Sequence, residues 1–514
     1  MSEFLEISIP PEFVDDEEFI KAAISSSLRA HEKSGLFYRI IKRSLDARKD
    51  PVYKFRIEIS HIPFPRLGNL ISTFKDVSKG RRVLIIGAGP AGYFAALECL
   101  MLGIKPIIVD RGKEVRERRR DLRSIQQFSI VNSDSNYCFG EGGAGTYSDG
   151  KLYTRSGKRG DILSVLQLFV EHGAHPEILI DAHPHIGSNK LPEIIQQIRS
   201  SILTYGGEVH FNHRVTDLEI SNHKIKSVTT DKGMQLNGDA VILCTGHSAR
   251  DVFHLLFRKN LLIESKPFAI GVRIEHQQAL IDSIQYHKSA KPEYLPPASY
   301  SLTCTLDGRG VFSFCMCPGG LMVPAATSPG EIVLNGMSLS KRDSKYANSG
   351  TVVGINPTDF ENSKDPFAGL QYQQMIEQKI FAAGDGSQKA PAQRLTDFMN
   401  NKLSVDLPES SYIPGLWSAP VQELLPAKIV KPLKEGIRIF GNKMKGYMTE
   451  EAIIAATESR TSSPIRIPRN SLSMHPQCDG LFPCGEGAGY AGGIMSAAMD
   501  GQHIARAVLH YLLS

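Results

Sequence analysis

The apolar run Arg82-Val83-Leu84-Ile85-Ile86 passes directly into Gly87-Ala88-Gly89-Pro90-Ala91-Gly92, a junction that few folds accept. The run is short and β-branched, as a buried parallel strand requires. Gly87 permits a tight turn, Gly89 lets the backbone approach a pyrophosphate, and Gly92 lets the helix Pro90 to Leu102 pack closely on the strand. That helix then points its N-terminus at the phosphates. A second strand, Lys105 to Val109, ends in Asp110, 18 residues after Gly92. This is close to the spacing of roughly 20 expected for an acid on a ribose hydroxyl.

The same glycine pattern recurs twice. Gly140 to Gly145 has neither a clear strand before it nor a helix after it, so it reads as a flexible cradle. Gly487 to Gly492 precedes a helical Ile494 to Leu513, but only 22 residues remain to Ser514. No second strand or ribose acid can follow, which excludes an independent nucleotide domain there.

At 514 residues the chain has room for about three domains. Its 41% hydrophobic and 22% charged residues suit a soluble globular protein. A net charge of +5 does not call for nucleic acid. The acidic N-terminus is no signal peptide, and no run approaches about 18 apolar residues, so no membrane association and a cytoplasmic location are expected. The eight cysteines contain no CxxC pair, so zinc and iron–sulfur ligation are not expected. Cys315-Met316-Cys317 reads as two residues on one face of a buried strand, with a redox pair as the alternative.

Residues 1–78 form a small N-terminal α+β domain: a strand Phe4 to Ile9, a helix Asp16 to His31, and β-rich runs Phe37 to Ser44 and Tyr53 to Ser60. Its basic run Arg39 to Arg48 reads as a solvated edge strand, with RNA contact as the alternative. A second cationic run, Arg111 to Arg123, as a helix would bring Arg111, Arg118 and Arg119 near the cofactor phosphates, Arg111 first because it adjoins the ribose acid, with a solvated helix face as the alternative. The nucleotide fold resumes with a strand Glu177 to Ile180, a helix Lys190 to Tyr205 and a strand Glu208 to Phe211. A meander follows over Val215 to Ile220, Lys224 to Thr230 and Met234 to Leu236. The buried strand from Asp239 then ends in Thr245-Gly246, at the carboxyl end where open α/β sheets bind ligands.

This order, closed by Gly480-Leu-Phe-Pro-Cys-Gly-Glu-Gly487, resembles two-dinucleotide-binding-domain flavoproteins of the glutathione reductase type. More closely, GEGGAGTYSDGKLYT, AHPHIGSNKLPEII, CTGHSARDVF, CMCPGG and FPCGEGAGYAGGIMSAAMDG resemble the bacterial family of uncharacterised FAD-dependent dehydrogenases, over almost the whole chain. The resemblance implies FAD, with Gly87 to Gly92 (including Ala88, Pro90 and Ala91) on the pyrophosphate and Asp110 on the adenosine ribose. Asp110 stands where FAD folds more commonly carry glutamate. Gly142, Gly143, Ala144 and Gly145 would line the diphosphate and flavin side, with Ser148, Asp149 and Lys151 nearby. Val215 would pack by the adenine, and Thr245 and Gly246 supply the family's strand ending. Gly485 and Glu486 would meet the ribityl chain, and Gly492, Gly493 and Ile494 the isoalloxazine. The helix starting there would stabilise negative charge on the reduced ring.

The fold class expected is α/β: an FAD-binding Rossmann-like parallel sheet with a β-meander (79–246 and 446–514), an inserted α+β substrate domain (247–445) and the small N-terminal domain. Catalytic candidates are His185 and Arg250, beside the expected flavin face, with His183, His247, Arg273, Cys315, Cys317 and Arg460 as further candidates. A histidine could protonate a substrate carbanion and an arginine clamp a carboxylate. The expected activity is hydride transfer through flavin N5 to or from a small-molecule substrate, with an unknown electron donor or acceptor and NADH or NADPH as an external reductant. The alternatives are an FAD-dependent RNA-modifying or RNA-binding protein, and a flavin-stabilised scaffold without turnover.

Overall fold

The computed structural model describes residues 3–28, 37–65, 67–154, 160–288 and 291–514. At its centre lies a five-stranded parallel sheet in the order Leu481–Pro483, Ala240–Leu243, Arg82–Ile86, Lys105–Val109, Glu208–His210. Its middle strands are buried, consistent with their Ile and Val runs. The helix Pro90–Leu102 covers one face and is buried along ten residues. The C-terminal helix Ile494–Leu513 packs on it at Gly501, where a Cβ would run into the carbonyl of Ala91. The meander Val215–Ser221, Lys224–Thr230, Gln235–Asn237 covers the other side.

A second unit is built on a seven-stranded sheet ordered Thr303–Leu306, Arg309–Cys317, Tyr346–Ile355, Phe268–Gln277, Ile453–Glu458, Ala390–Arg394, Leu416–Ser418. Two expected boundaries move. Arg250–Arg258 is a helix whose Val252, Phe253, Leu255 and Leu256 join the meander's hydrophobic cluster, so the second unit begins near Pro267 rather than at 247. Ile453–Glu458, within the stretch expected to belong to the FAD domain, is a fully buried strand paired on both sides, which carries the unit past 445. Its β-branched Ile453-Ile454 suits that position.

The strands Glu3–Ile9, Val52–Ser60 and Phe37–Asp46, in that order, form a three-stranded antiparallel sheet, with the helix Glu17–Ser27 capped by Asp16. The expected end of that helix at His31 lies outside the described residues. Arg43 joins this sheet to the central domain: its amide donates to the carbonyl of Ile180 at 2.7 Å, and its guanidinium pairs with Asp181 at 2.8 Å and Glu177 at 3.2 Å. Arg39 pairs with Glu58 at 2.7 Å. Part of the basic run is therefore neutralised within the protein. The expected strand Glu177 to Ile180 is instead a 3₁₀ turn, Pro176–Leu179, started by a proline that cannot donate to a ladder. Among the described residues no helix is long and apolar enough to cross a membrane.

Candidate functional site

The carboxyl ends of the five-stranded sheet open into a cleft of about 340 Å³ between the two large units. Gly87, Gly89, Pro90 and Ala91 form its floor. Gly92 faces away, where a Cβ would run into the carbonyl of Gly87, so the helix could not sit this close to the turn with any larger residue. No side chain caps the start of the helix Pro90–Leu102, which leaves its amides for an anion. Ala88 lies under the turn, and its amide donates to Asp110 Oδ2 at 2.8 Å. Asp110 accepts a second amide, from Gly112, on Oδ1 at 2.8 Å. The carboxylate therefore clamps the glycine turn while standing on the cleft wall, and each oxygen keeps a lone pair.

Val215 lies on the wall beyond Asp110, together with Arg111. Arg111 is oriented by Asp251 at 3.0 Å and Asp134 at 3.3 Å, with its guanidinium 4.5 Å from the Phe139 ring centre. Arg118 does not reach the cleft. It is fully buried and donates to the carbonyls of Asn136, Tyr137, Gly140, Glu141 and Gly143 at 2.7–3.4 Å. All its donors are committed to shaping the Asn136 to Gly145 loop, so none is left for a phosphate.

That loop supplies the facing wall. Gly142 lies behind it, its amide bonded to the carbonyl of Ala88 at 2.8 Å. Gly143, Ala144 and Gly145 line it. A Cβ on Gly145 would come within 2.8 Å of Ile494 Cγ1, so a glycine here lets the C-terminal helix start abut the loop. Ser148, Asp149 and Lys151 continue the wall. Burial opposes charge on Asp149, but Lys151 at 3.5 Å and Arg342 at 2.8 Å outweigh it and hold the carboxyl below its ordinary value.

Thr245 and Gly246 reach the cleft from the end of the strand Ala240–Leu243, and Glu486, Gly492, Gly493 and Ile494 from the C-terminal segment. Gly485 lies behind, its amide bonded to Asp500 at 2.7 Å. The residues fit an extended dinucleotide. The hydroxyl of Thr245 is buried without a hydrogen-bond partner, and a Cβ at Gly246, Gly492 or Gly493 would meet open space. No side chain caps the helix that starts at Ile494.

Neither leading catalytic candidate lines the cleft. His185 sits behind Asp149, 3.3 Å from the Ser338 hydroxyl, and is pushed down to about 4 by burial and by Arg342. Arg250 is held in a buried cluster, 2.6 Å from Glu331 and 2.7 Å from Glu377, which also bind Arg460. Arg273 is likewise buried, against Glu458 and Asn348. His183 packs on Tyr153 with ring centres 4.8 Å apart. His247, Arg460 and Cys315 do reach the wall.

His247 stands with Nδ1 3.5 Å from Glu486 and hydrogen-bonds Cys138. Burial opposes its charge, but Glu486 and Cys138 outweigh it and raise the imidazole to about 10. The imidazolium in turn brings Cys138 down to about 7 against its own burial. Sequence reasoning missed Cys138 and Glu486 as partners of His247, because three distant segments supply them. The only local signal was the position of Cys138 just before the Gly140 run.

The family described as "FAD-dependent protein, C-terminal domain-like" matches residues 267–461, and a domain of unknown function matches residues 1–60. A Clostridium beijerinckii protein described as uncharacterized is 39% identical over 516 residues, covering 96% of this chain and 96% of its own. Among solved structures, CtdE in complex with FAD is 12% identical and covers 83% of this chain and 84% of its own, at a TM-score of 0.31. The halogenase PltM is 10% identical over 84% of this chain and 70% of its own, at 0.37.

Proposed function

This chain belongs to a bacterial family of uncharacterised FAD-dependent proteins, and on that premise we propose that it is a flavin oxidoreductase moving a hydride between FAD and a small-molecule substrate. The observation that carries this reading is the composition of the cleft. Residues of the second unit, Phe314, Cys315, Asn335, Arg460 and Thr461, face Gly143–Lys151 and Gly492–Ile494 across it. The unit that would admit a substrate thus meets the wall expected to hold the reactive ring.

Bound FAD supplies two-electron redox chemistry. The chain's own residues supply the setting. Thr245 offers a hydroxyl, and the two uncapped helix starts, at Pro90 and Ile494, offer amides to negative charge. His247 holds protons on its ring nitrogens at the cleft wall, charged between Glu486 and Cys138. Arg460, fixed by Glu331 at 2.8 Å and Glu377 at 2.9 Å, places a cation beside the substrate side. NADH or NADPH serves as external reductant.

The test is anaerobic mixing of the flavoprotein with NADH and NADPH, followed by enoates, quinones and disulfides as acceptors. Bleaching of the flavin by a nicotinamide and recovery with one acceptor class is the expected result. A flavin that is bound yet inert to every donor and acceptor supports the scaffold reading instead.

A further inference from the structure

We infer that Cys315 and Cys317 form a redox-active dithiol that exchanges two electrons with the flavin, an inference that rests on the cleft being the flavin site. In the strand Arg309–Cys317, pairing with Tyr346–Ile355 runs regularly to Phe314 opposite Gly350 and resumes with Cys317 opposite Asn348. Cys315 and Met316 therefore face Ser349 alone, in a β-bulge of the kind that re-aims side chains beside active sites. Cys315 takes φ +44°, a left-handed conformation uncommon for a residue other than glycine, at a cost of order 1 kcal/mol. A surrounding lattice of bonds holds it there. Lys151 Nζ donates to the carbonyl of Met316, and Arg273 Nη2 donates to the carbonyl of Cys315 at 2.8 Å.

The bulge also brings the Cys317 thiol against the backbone of Cys315. Cys315 lies on the cleft wall with Lys151, Gly145 and Ile494, whereas Cys317 is fully buried behind it. The Cys317 thiol donates to the carbonyl of Cys315 at 3.3 Å, and Arg273 Nη2 stands 3.8 Å from Cys317 Sγ. An extended i,i+2 pair spans about 6.6–7.2 Å between Cα atoms, at the upper edge of the roughly 4.4–6.8 Å that a disulfide bridges. Met316, the residue between them, sets that span, and the left-handed Cys315 re-aims its own side chain within the bulge.

The surroundings divide the two thiols as an exchange pair requires. The neighbouring Cys317 thiol, aided by Lys151 and Arg273, holds Cys315 down to about 6 against its burial, while Cys317 is pushed well above its ordinary value. Cys315 is therefore the thiolate and Cys317 the proton donor. The step balances without another reactant. The Cys315 thiolate and the Cys317 thiol join in one S–S bond, and the two electrons and the Cys317 proton pass to oxidised FAD, leaving it fully reduced and anionic. Burial makes Cys99 and Cys478 weaker acids away from the cleft wall, and Cys484, beside Cys244, is likewise pushed well above its ordinary value.

An anaerobic dithionite titration of the air-oxidised flavoprotein tests this, with thiols mapped by alkylation and mass spectrometry before and after. Wild type is expected to take up roughly twice the reductant per flavin of Cys315→Ser or Cys317→Ser, since each couple carries two electrons. Its peptide map should carry a Cys315–Cys317 disulfide before titration and two alkylated thiols after. Cys304→Ser, on the neighbouring strand, should keep the wild-type uptake. Equal uptake by wild type and the serine variants, or a disulfide made by Cys138 instead, overturns the dithiol and leaves the oxidoreductase reading standing. A cycling Cys315–Cys317 disulfide in a protein that no nicotinamide or acceptor turns over does the reverse. Should the serine variants fold poorly, the wild-type peptide map decides alone.

Discussion

His247 Nδ1 lies 3.5 Å from Glu486 Oε1, so the residue after the Thr245-Gly246 ending of the strand Ala240–Leu243 is tied to the C-terminal glycine segment by an ion pair. Folding raises the imidazole from about 6.5 to about 10. Its contribution is then fully present below about 6.5 and lost as pH rises through about 10. Cys138 acts with the opposite sign, present above about 8.5 and lost as pH falls through about 7. Above about 8.5 its share is constant. There the stability advantage of wild type over His247→Gln, about 2 kcal/mol at neutral pH, should shrink as pH rises. Denaturant unfolding at a series of pH values checks this; an advantage that is flat or grows with pH contradicts it.

The same pair makes Cys138 a reactive thiol. Alkylation of the FAD-free protein at Cys138 should show an apparent midpoint near 7, and His247→Ala should move it toward the ordinary value of about 8.5. A midpoint that ignores His247 removes the thiolate–imidazolium pair from the cleft.

Arg118 donates to five backbone carbonyls in the Asn136 to Gly145 loop. Arg118→Met should cost about 3 kcal/mol or more, because it strands buried acceptors. The loop should also become susceptible to limited proteolysis, and FAD retention should fall. Arg118→Met protein that is as stable as wild type would return Arg118 to a solvated or ligand-facing role.

Asp110 clamps the glycine turn through the amides of Ala88 and Gly112. Asp110→Asn exchanges a charged acceptor for a weaker one, and FAD affinity should drop by about 10- to 100-fold, the worth of one charge-assisted hydrogen bond. Fluorescence titration of the FAD-free protein measures it. Unchanged affinity would leave Asp110 without a part in binding.

What the sequence made legible was what is local. Arg82–Ile86, the turn to Gly92 and Asp110 occupy one strand–turn–helix–strand stretch, whose glycine spacing is dictated by backbone approach. Thr245-Gly246 and Gly492–Ile494 likewise carry their geometry in adjacent residues. Arg118 was not legible, because a basic run looks solvated until five carbonyls converge on one of its members. Arg250 follows the right strand, and His185 follows a run that folds as a 3₁₀ turn, but Glu331, Glu377 and Ser338, from distant segments, turn both away. Ile453–Glu458 became a strand only through its neighbours Phe268–Gln277 and Ala390–Arg394. The bulge at Cys315 depends on the register of a partner strand that no reading of Cys315-Met316-Cys317 alone contains.

The cleft's identity is tested most directly by a crystal structure of the protein with FAD bound. The pyrophosphate is expected on the Gly87–Gly92 turn and the isoalloxazine between the helix start at Ile494 and the wall carrying Lys151 and Cys315. A flavin ring placed away from Gly492–Ile494, or out of reach of the 267–461 unit, would contradict it.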